Sequence, residues 1–229
     1  MKDVLFPFAL SNLKTFMKDL DDKELGDIAT SLKDDVKKLE PEHPSRKEIE
    51  ASDNMEDLKE VISAHVKGMM ANDVKATGLK ALQGRIWKGG YASGELKAHV
   101  YEDFTPMLNW CKEKSISINI YSSGSIGAQK LLFKHTPDGD LCSFFTSHFD
   151  TTSGGKKEAS SYKKIAKDLN VDPSEICFIS DAEPELVAAR EAGIGFPVMS
   201  IRPGNAPLTS VGREFPTIFS LLQICGSGK

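Results

Sequence analysis

Hydrophobic residues recur at helical spacing through the first part of the chain. In three stretches, apolar residues fall three or four positions apart, which is the spacing of one helix face. This pattern predicts helices, and no strand, up to about Gly94. His65 lies on the second stripe and is interpreted as a core or boundary histidine rather than a ligand. The charged run at 34–38 is interpreted as a solvated helix face. The stripes lie at residues 13–20, 58–69 and 79–87.

After Gly94 the pattern changes to short β-rich runs that alternate with amphipathic segments. Strands that alternate with helices favour a parallel sheet covered by helices. The run 176–179 is nearly all apolar, as expected for a strand with both faces covered. The fold class predicted is therefore α/β, with a helical domain followed by a parallel-sheet domain. Strands are expected at 116–121, 144–149, 176–179 and 197–201, and helices at 103–112, 126–133, 160–169, 183–192 and 217–224.

Composition narrows the classes of protein that the chain can represent. The chain has 229 residues and a net charge of -4, so it carries no basic footprint for nucleic acid or anionic membranes. No apolar run approaches the ~20 residues that span a bilayer. The four cysteines are widely spaced and form no CxxC pair, and we interpret them as buried thiols rather than a disulfide framework or a zinc site.

Polar and charged residues follow three of the predicted strands. Residues 122–125 (Ser-Ser-Gly-Ser) lead into a helix, where hydroxyls and backbone N–H groups favour a phosphate. Lys156 follows a glycine-bearing loop, and Asp181 follows a buried strand and suits a hard cation such as Mg²⁺. Each has a plainer interpretation: an ordinary turn, a solvated lysine, and a helix N-cap. Because the carboxyl ends of parallel strands lie at one edge of a sheet, residues 122–125, Lys156 and Asp181 are expected to lie together. This combination of groups favours phosphoryl transfer.

Seven blocks of this sequence resemble the enolase-phosphatase E1 family of the haloacid dehalogenase superfamily. The resemblance runs over nearly the whole chain. It implies a Rossmann-like parallel-sheet core of the haloacid dehalogenase type at 96–229 and a helical cap domain at 1–95. The blocks are 4–7, 82–87, 120–125, 128–133, 148–151, Lys156 ahead of 161–162, and 201–206.

The same resemblance assigns roles to individual residues. Ser122 and Ser123 match the substrate-binding pair, Lys156 matches the phosphate-contacting lysine, and Asp181 matches the Mg²⁺ ligand, with Glu185 as a weaker candidate to support the metal. The implied reaction enolises 2,3-diketo-5-methylthiopentyl 1-phosphate and then removes its phosphate to give an acireductone in methionine salvage. The resemblance implies a monomer with a small phosphorylated metabolite as partner, and the expected location is the cytoplasm, with the nucleus as an additional location.

The sequence departs from the family at the nucleophile. Family members carry a strand that ends in a D-x-E-G-T motif just before the block at 4–7, and this chain has no such motif. The pair Asp19 and Asp21 follows a predicted helix and is rejected as a substitute. The catalytic aspartate is therefore unknown, and the chain as written is expected to be an N-terminally truncated form without turnover. The strands at 116–121 and 176–179 should then lack their shared partner.

Two other interpretations remain open. One is a catalytically inactive, phosphate-binding homologue or regulatory protein that keeps the pocket and the cap. The other is a different phosphatase of the superfamily, against which the blocks at 82–87 and 201–206 argue.

Overall fold

The first compact unit of the molecule is helical. The computed structural model describes residues 4–44, 54–74 and 76–226, and it divides the chain into units at 1–97 and 98–229. The described part of the first unit contains helices and no strand, as predicted. Its helices are α1 (Leu5–Lys18), α2 (Asp22–Lys37), α3 (Met55–Ala71) and α4 (Thr77–Ser93).

The predicted apolar stripes form the core of this unit. Residues four apart on α1, from Leu5 to Met17, are buried, and the stripes on α3 and α4 are buried in the same way. The indole of Trp87 donates to the Leu5 carbonyl at 2.8 Å and so ties α4 to the start of α1. His65 is buried, as predicted, and burial lowers the pKa of its imidazole.

Asp35 corrects the interpretation of residues 34–38 as a solvated face. Its side chain is only 2% exposed, and its carboxylate accepts the backbone N–H of Leu79 at 2.9 Å. The N-cap of α4, Ala76, provides no side-chain hydrogen bond. Because the first N–H groups of a helix have no partner within the helix, Asp35 of α2 supplies the cap that the local sequence of α4 lacks.

Replacing Asp35 with alanine is expected to lower the free energy of unfolding by about 1–3 kcal/mol, because the buried Leu79 N–H loses its acceptor. Asp34→Ala is the matched control. Asp34 is exposed and its ion pair within the described residues is with Lys37, so its loss should cost less than about 1 kcal/mol. Urea unfolding followed by circular dichroism measures both changes. Equal losses in the two variants would contradict the capping role of Asp35.

The second unit is an α/β domain with parallel strands. Its strands form two separate sheets, one ordered β1-β2 and the other β3-β4-β5, and every pairing is parallel. The strands are β1 (Ile118–Tyr121), β2 (Phe145–Phe149), β3 (Cys177–Ser180), β4 (Phe196–Ser200) and β5 (Thr217–Ile218). The α-helices are α5 (Phe104–Glu113), α6 (Ile126–Lys134), α7 (Ala159–Leu169) and α8 (Glu183–Glu191).

β1 and β3 each have one unpaired edge. β1 pairs with β2 alone and β3 with β4 alone, and within the described residues no strand lies along their other edges. The apolar side chains of Ile118, Ile120, Phe178 and Ile179 are accordingly only half-buried. The pairing agrees with the expectation that these two strands lack a shared partner.

Tyr162 of α7 connects the two sheets. Its ring lies edge-on to Tyr121 of β1 at 5.6 Å between centroids and to Phe178 of β3 at 5.0 Å. The same aromatic residues pack on a buried cluster formed by α7, α8 and the turn after α8. Side chains of the two strands therefore pack on one helix, and the carboxyl ends of β1 and β3 belong to one structural unit.

Three details of the sequence-based prediction were wrong. The segment at 217–224 is not a helix. Ile201 donates its N–H to the Ile218 carbonyl at 2.8 Å, which holds 217–218 as β5, and a short 3-10 helix, Leu221–Gln223, follows. All four cysteines are free thiols as expected, but only Cys111 is buried. Cys177, the first residue of β3, is exposed, so β3 is not covered along its whole length as its apolar sequence suggests.

No helix among the described residues is both long enough and apolar enough to cross a membrane.

Candidate functional site

The serine loop, residues 122–125, begins at the carboxyl end of β1. The N–H of Ser122 donates to the Phe149 carbonyl of β2 at 3.1 Å, and the Ser122 hydroxyl accepts the N–H of Gly124 at 3.1 Å. Ser125 is the N-cap of α6 and accepts the N–H of Ala128. Ser122 is half-buried and Ser123 is exposed. The strand thus delivers two hydroxyls to the edge of the sheet, as predicted.

The N-terminus of α6 is not a free anion site, which corrects part of the prediction. The buried carboxylate of Asp150, at the end of β2, accepts the N–H of Ile126 at 3.1 Å. With Ser125 on the Ala128 N–H, the protein satisfies two of the helix's first donors itself. A phosphate at this loop would therefore depend mainly on the hydroxyl groups and on a cation.

The lysine loop, residues 150–156, supplies that cation. Asp150 also accepts the N–H and the hydroxyl of Thr152, at 2.9 and 2.7 Å, so one carboxylate holds both this loop and the start of α6. The chain then turns at Gly154, where φ is +123° and an added Cβ would overlap the Ser161 hydroxyl, so only glycine fits there. Two tyrosines fix the rest of the loop: Tyr121 donates to the Gly154 carbonyl at 3.0 Å and Tyr162 to the Lys156 carbonyl at 2.6 Å.

The ammonium group of Lys156 connects the ends of all three strands. Its Nζ lies 5.7 Å from the centre of the Tyr121 ring and forms an ion pair with Glu185 of α8. The Glu185 carboxylate in turn accepts the hydroxyl of Ser180, the last residue of β3, at 2.7 Å. Both side chains of the ion pair are largely buried, at 22% and 15% exposed. Lys156 is therefore a fixed cation, and the interpretation of a freely solvated lysine is wrong.

Asp181 lies directly after Ser180 on the exposed edge. Its Oδ2 accepts a hydrogen bond from the side-chain NH₂ group of Asn205 at 3.0 Å, and the side-chain oxygen of Asn205, Oδ1, accepts the backbone N–H of Arg202 at 2.6 Å. The carboxylate is thus oriented by the loop after β4 and is accessible to solvent. No backbone N–H of α8 is bonded to it, and the helix starts from Ala182 without a side-chain cap. The N-cap interpretation of Asp181 is therefore not supported.

The structure brings together residues beside the predicted ones that the sequence did not single out. Asp150, Tyr162 and Asn205 each hold a predicted site residue or its loop through a hydrogen bond. Glu185 was expected to support a metal, and here it pairs with Lys156. A local signal existed for Asp150 alone, since an aspartate two positions before a threonine is typical of an Asx turn.

The grouping of potential metal ligands among the described residues limits the kind of metal site that they can form. No group of three or more His, Cys, Asp or Glu side chains that could hold a metal lies within residues 4–44, 54–74 and 76–226. Mg²⁺ does not require such a group, because it keeps several waters and often takes only one or two carboxylates together with substrate phosphate. Asp181, which is accessible and already oriented, fits one of those positions.

Comparison with known proteins gives consistent matches over most of the chain. The family model of haloacid dehalogenase-like hydrolases matches residues 45–193. An enolase-phosphatase E1 of Drosophila mojavensis is 40% identical over 228 residues, covering 97% of this chain and 87% of that protein. One of Marinobacter nauticus is 40% identical over 223 residues, with 96% and 90% covered. The crystal structure of the UTR4 protein of Saccharomyces cerevisiae matches with a TM-score of 0.75 and 34% identity, over 96% of this chain and 90% of that one.

Proposed function

Because this chain belongs to the enolase-phosphatase E1 family of haloacid dehalogenase-like hydrolases, we propose that it binds its phosphorylated substrate at the carboxyl ends of β1, β2 and β3. The family's reaction is the enolisation and dephosphorylation of 2,3-diketo-5-methylthiopentyl 1-phosphate to an acireductone in methionine salvage. The observation that carries the proposed site is the position of Lys156, which contacts Tyr121 beside Ser122 and, through Glu185, Ser180 beside Asp181.

Each residue of the site has a distinct role in the proposal. The hydroxyls of Ser122 and Ser123 donate to phosphate oxygens and orient the phosphate relative to β1. Lys156 donates to the phosphate and offsets its negative charge, which stabilises charge that builds up during phosphoryl transfer. Glu185 holds the Lys156 ammonium in place before substrate arrives.

We also propose that Asp181 contributes a carboxylate ligand to Mg²⁺. When bound, the ion would neutralise phosphate charge and orient the phosphate. Asn205 would keep the Asp181 carboxylate turned toward the site, since its amide already donates to one of the two oxygens. The helical unit would serve as the cap, with the domains near the proposed bounds of 1–95 and 96–229. The protein would act as a monomer in the cytoplasm.

The metal assignment is tested by measuring how Mg²⁺ changes the affinity of the purified chain for inorganic phosphate. Mg²⁺ is expected to strengthen phosphate binding by about tenfold or more, and Asp181→Asn should remove most of this gain. Asp168→Asn is the matched control, since Asp168 is on α7 and pairs with Lys164 away from the strand ends. A gain that survives in Asp181→Asn would place the metal on other residues. Isothermal titration calorimetry measures all three proteins.

The alternative function, a phosphate-binding protein without turnover, has one observation in its favour. This sequence contains no D-x-E-G-T motif, which is the motif that carries the nucleophile in the family. In that case phosphate and Mg²⁺ would still bind, but no phosphoryl group would be transferred.

A further inference from the structure

Gln129 of α6 makes three hydrogen bonds at the site although its side chain is 6% exposed. Its Nε2 donates to the Gly124 carbonyl in the serine loop and to the Phe149 carbonyl at the end of β2, both at 2.9 Å. Its Oε1 lies 3.0 Å from Nδ1 of His148. Gln129 is the buried residue of α6, and an amide that is buried with all of these contacts filled needs a specific reason for its presence.

The contacts determine which way the amide points. Gly124 and Phe149 present carbonyl oxygens, which only accept, so the NH₂ group of Gln129 must face them. The remaining oxygen of the amide then faces His148, and the hydrogen between them must belong to His148 Nδ1. Burial lowers the pKa of His148, and the nearby Lys130 lowers it further, and both effects favour the neutral ring. The neutral ring therefore carries its proton on Nδ1 and leaves Nε2 unprotonated.

The two carbonyls that Gln129 holds belong to different strand ends. The Phe149 carbonyl also accepts the N–H of Ser122, so Gln129 and Ser122 donate to the same oxygen. The Gly124 carbonyl is fixed on the same amide group. One side chain thus sets the position of the serine loop relative to β2, where the lysine loop begins.

We propose that Gln129 is a positioning residue for phosphate binding, which holds the serine loop against the end of β2 and sets the tautomer of His148. This inference rests on the proposed phosphate-binding function of Ser122 and Ser123. It assigns Gln129 no contact with substrate. Its effect reaches the phosphate only through the loop whose carbonyl it binds.

Two substitutions distinguish the two roles of Gln129, which are to hold the serine loop against the end of β2 and to set the tautomer of His148. Gln129→Glu keeps an acceptor for His148 Nδ1 but places a carboxylate oxygen against the two carbonyls. Gln129→Met removes the donor and the acceptor together. Thr146→Met is the control, because Thr146 is an exposed neutral residue on β2. Thermal unfolding by circular dichroism establishes that each variant is folded.

Phosphate affinity and the ring nitrogen shifts of His148 are then measured for all four proteins. Both Gln129 variants are expected to bind inorganic phosphate about tenfold more weakly, and the Thr146 variant to match the parent. The His148 ¹⁵N shifts should report the Nδ1–H tautomer in the parent and in Gln129→Glu, and the loss of that tautomer in Gln129→Met. A purely structural role would change stability without moving the tautomer.

The outcomes distinguish this inference from the proposed function. If Gln129→Glu binds phosphate as tightly as the parent, or if the parent shows the Nε2–H tautomer, the positioning role is wrong. If the parent itself binds no phosphate, the proposed function fails. In that case the positioning role of Gln129 is judged on the His148 tautomer and on the amide chemical shifts of residues 122–124. If both quantities are unchanged in both variants, the positioning role is wrong.

Discussion

A polypeptide of residues 1–229 is expected to release phosphate from 2,3-diketo-5-methylthiopentyl 1-phosphate no faster than background, and the same chain with an added strand is expected to be active. The addition is an apolar strand of about five residues that ends in D-x-E-G-T, fused ahead of residue 1. We expect it to raise Mg²⁺-dependent turnover by at least about 10⁴-fold, the scale on which nucleophile removal acts in other enzymes.

The physical reason lies in the free edges of β1 and β3. Both strands run parallel within their sheets, both lack a neighbour on one edge among the residues that the structure describes, and both contact Tyr162. A parallel strand added between them would pair both edges and deliver its last residues beside Lys156. A carboxylate there could attack phosphorus and displace the ester oxygen of the substrate, giving an aspartyl phosphate and the dephosphorylated product, and water then hydrolyses the aspartyl phosphate to free phosphate.

The control is the same fusion with asparagine in place of the first aspartate of the added motif. It should raise the thermal unfolding temperature as much as the active fusion does, because strand pairing is restored, but release no phosphate. Chemistry is thereby separated from repair of the sheet. Phosphate release is followed with a colorimetric assay. Mg²⁺-dependent turnover by residues 1–229 alone would contradict the prediction.

Lys156→Met is expected to weaken binding of inorganic phosphate by about ten- to a hundredfold. A hydrogen bond to a charged group contributes about 1.5–3 kcal/mol, and each 1.4 kcal/mol is roughly a factor of ten in affinity. The substitution also leaves the largely buried Glu185 carboxylate without its ion-pair partner and facing the anion site. Phosphate titration by calorimetry measures the change, and it does not require the chain to have turnover.

Lys157→Met provides the matched control for Lys156→Met. Lys157 is the next residue along the chain, carries the same charge and is exposed. Its removal alters net charge equally but should change phosphate affinity by less than about twofold, because exposed charges are screened. Equal losses of phosphate affinity in the two variants would show that phosphate binding depends only on the net charge of the loop.

The sequence predicted the helices and strands of the fold better than it predicted how these elements are paired and buried. Alternating residues such as Ile118 and Ile120 identified β1, and helical stripes identified the first unit, because both signals are local. The apolar run of β3 predicted covered faces along the whole strand, yet Cys177 at its start is exposed, since coverage depends on the helices that pack on the sheet and no local pattern reports their position. The segment at 217–224 has no strong period, and its pairing with β4 decided its structure.

The same distinction applies to the candidate site. Ser122, Lys156 and Asp181 were found because each follows a strand, and the order of elements alone places strand ends at one edge. The roles of Asp150, Gln129 and Asn205 were not predicted, because each depends on a contact with a residue at least twenty positions away in the chain. Asp35 was missed for the same reason, since the helix that it caps begins more than forty residues later.

The unpaired edges of β1 and β3 also affect how the domain exchanges its amide hydrogens with water. Alternate N–H groups of a strand point toward its two neighbours, so a strand that is paired on one side protects only about half of its amides. β1 and β3 flank the buried Tyr162, where slow exchange is usual for a parallel sheet. In this chain the amides that exchange most slowly should instead lie in β4, which is paired on both sides. Local unfolding should then begin at β1 and β3, in the middle of the domain, rather than at its margin.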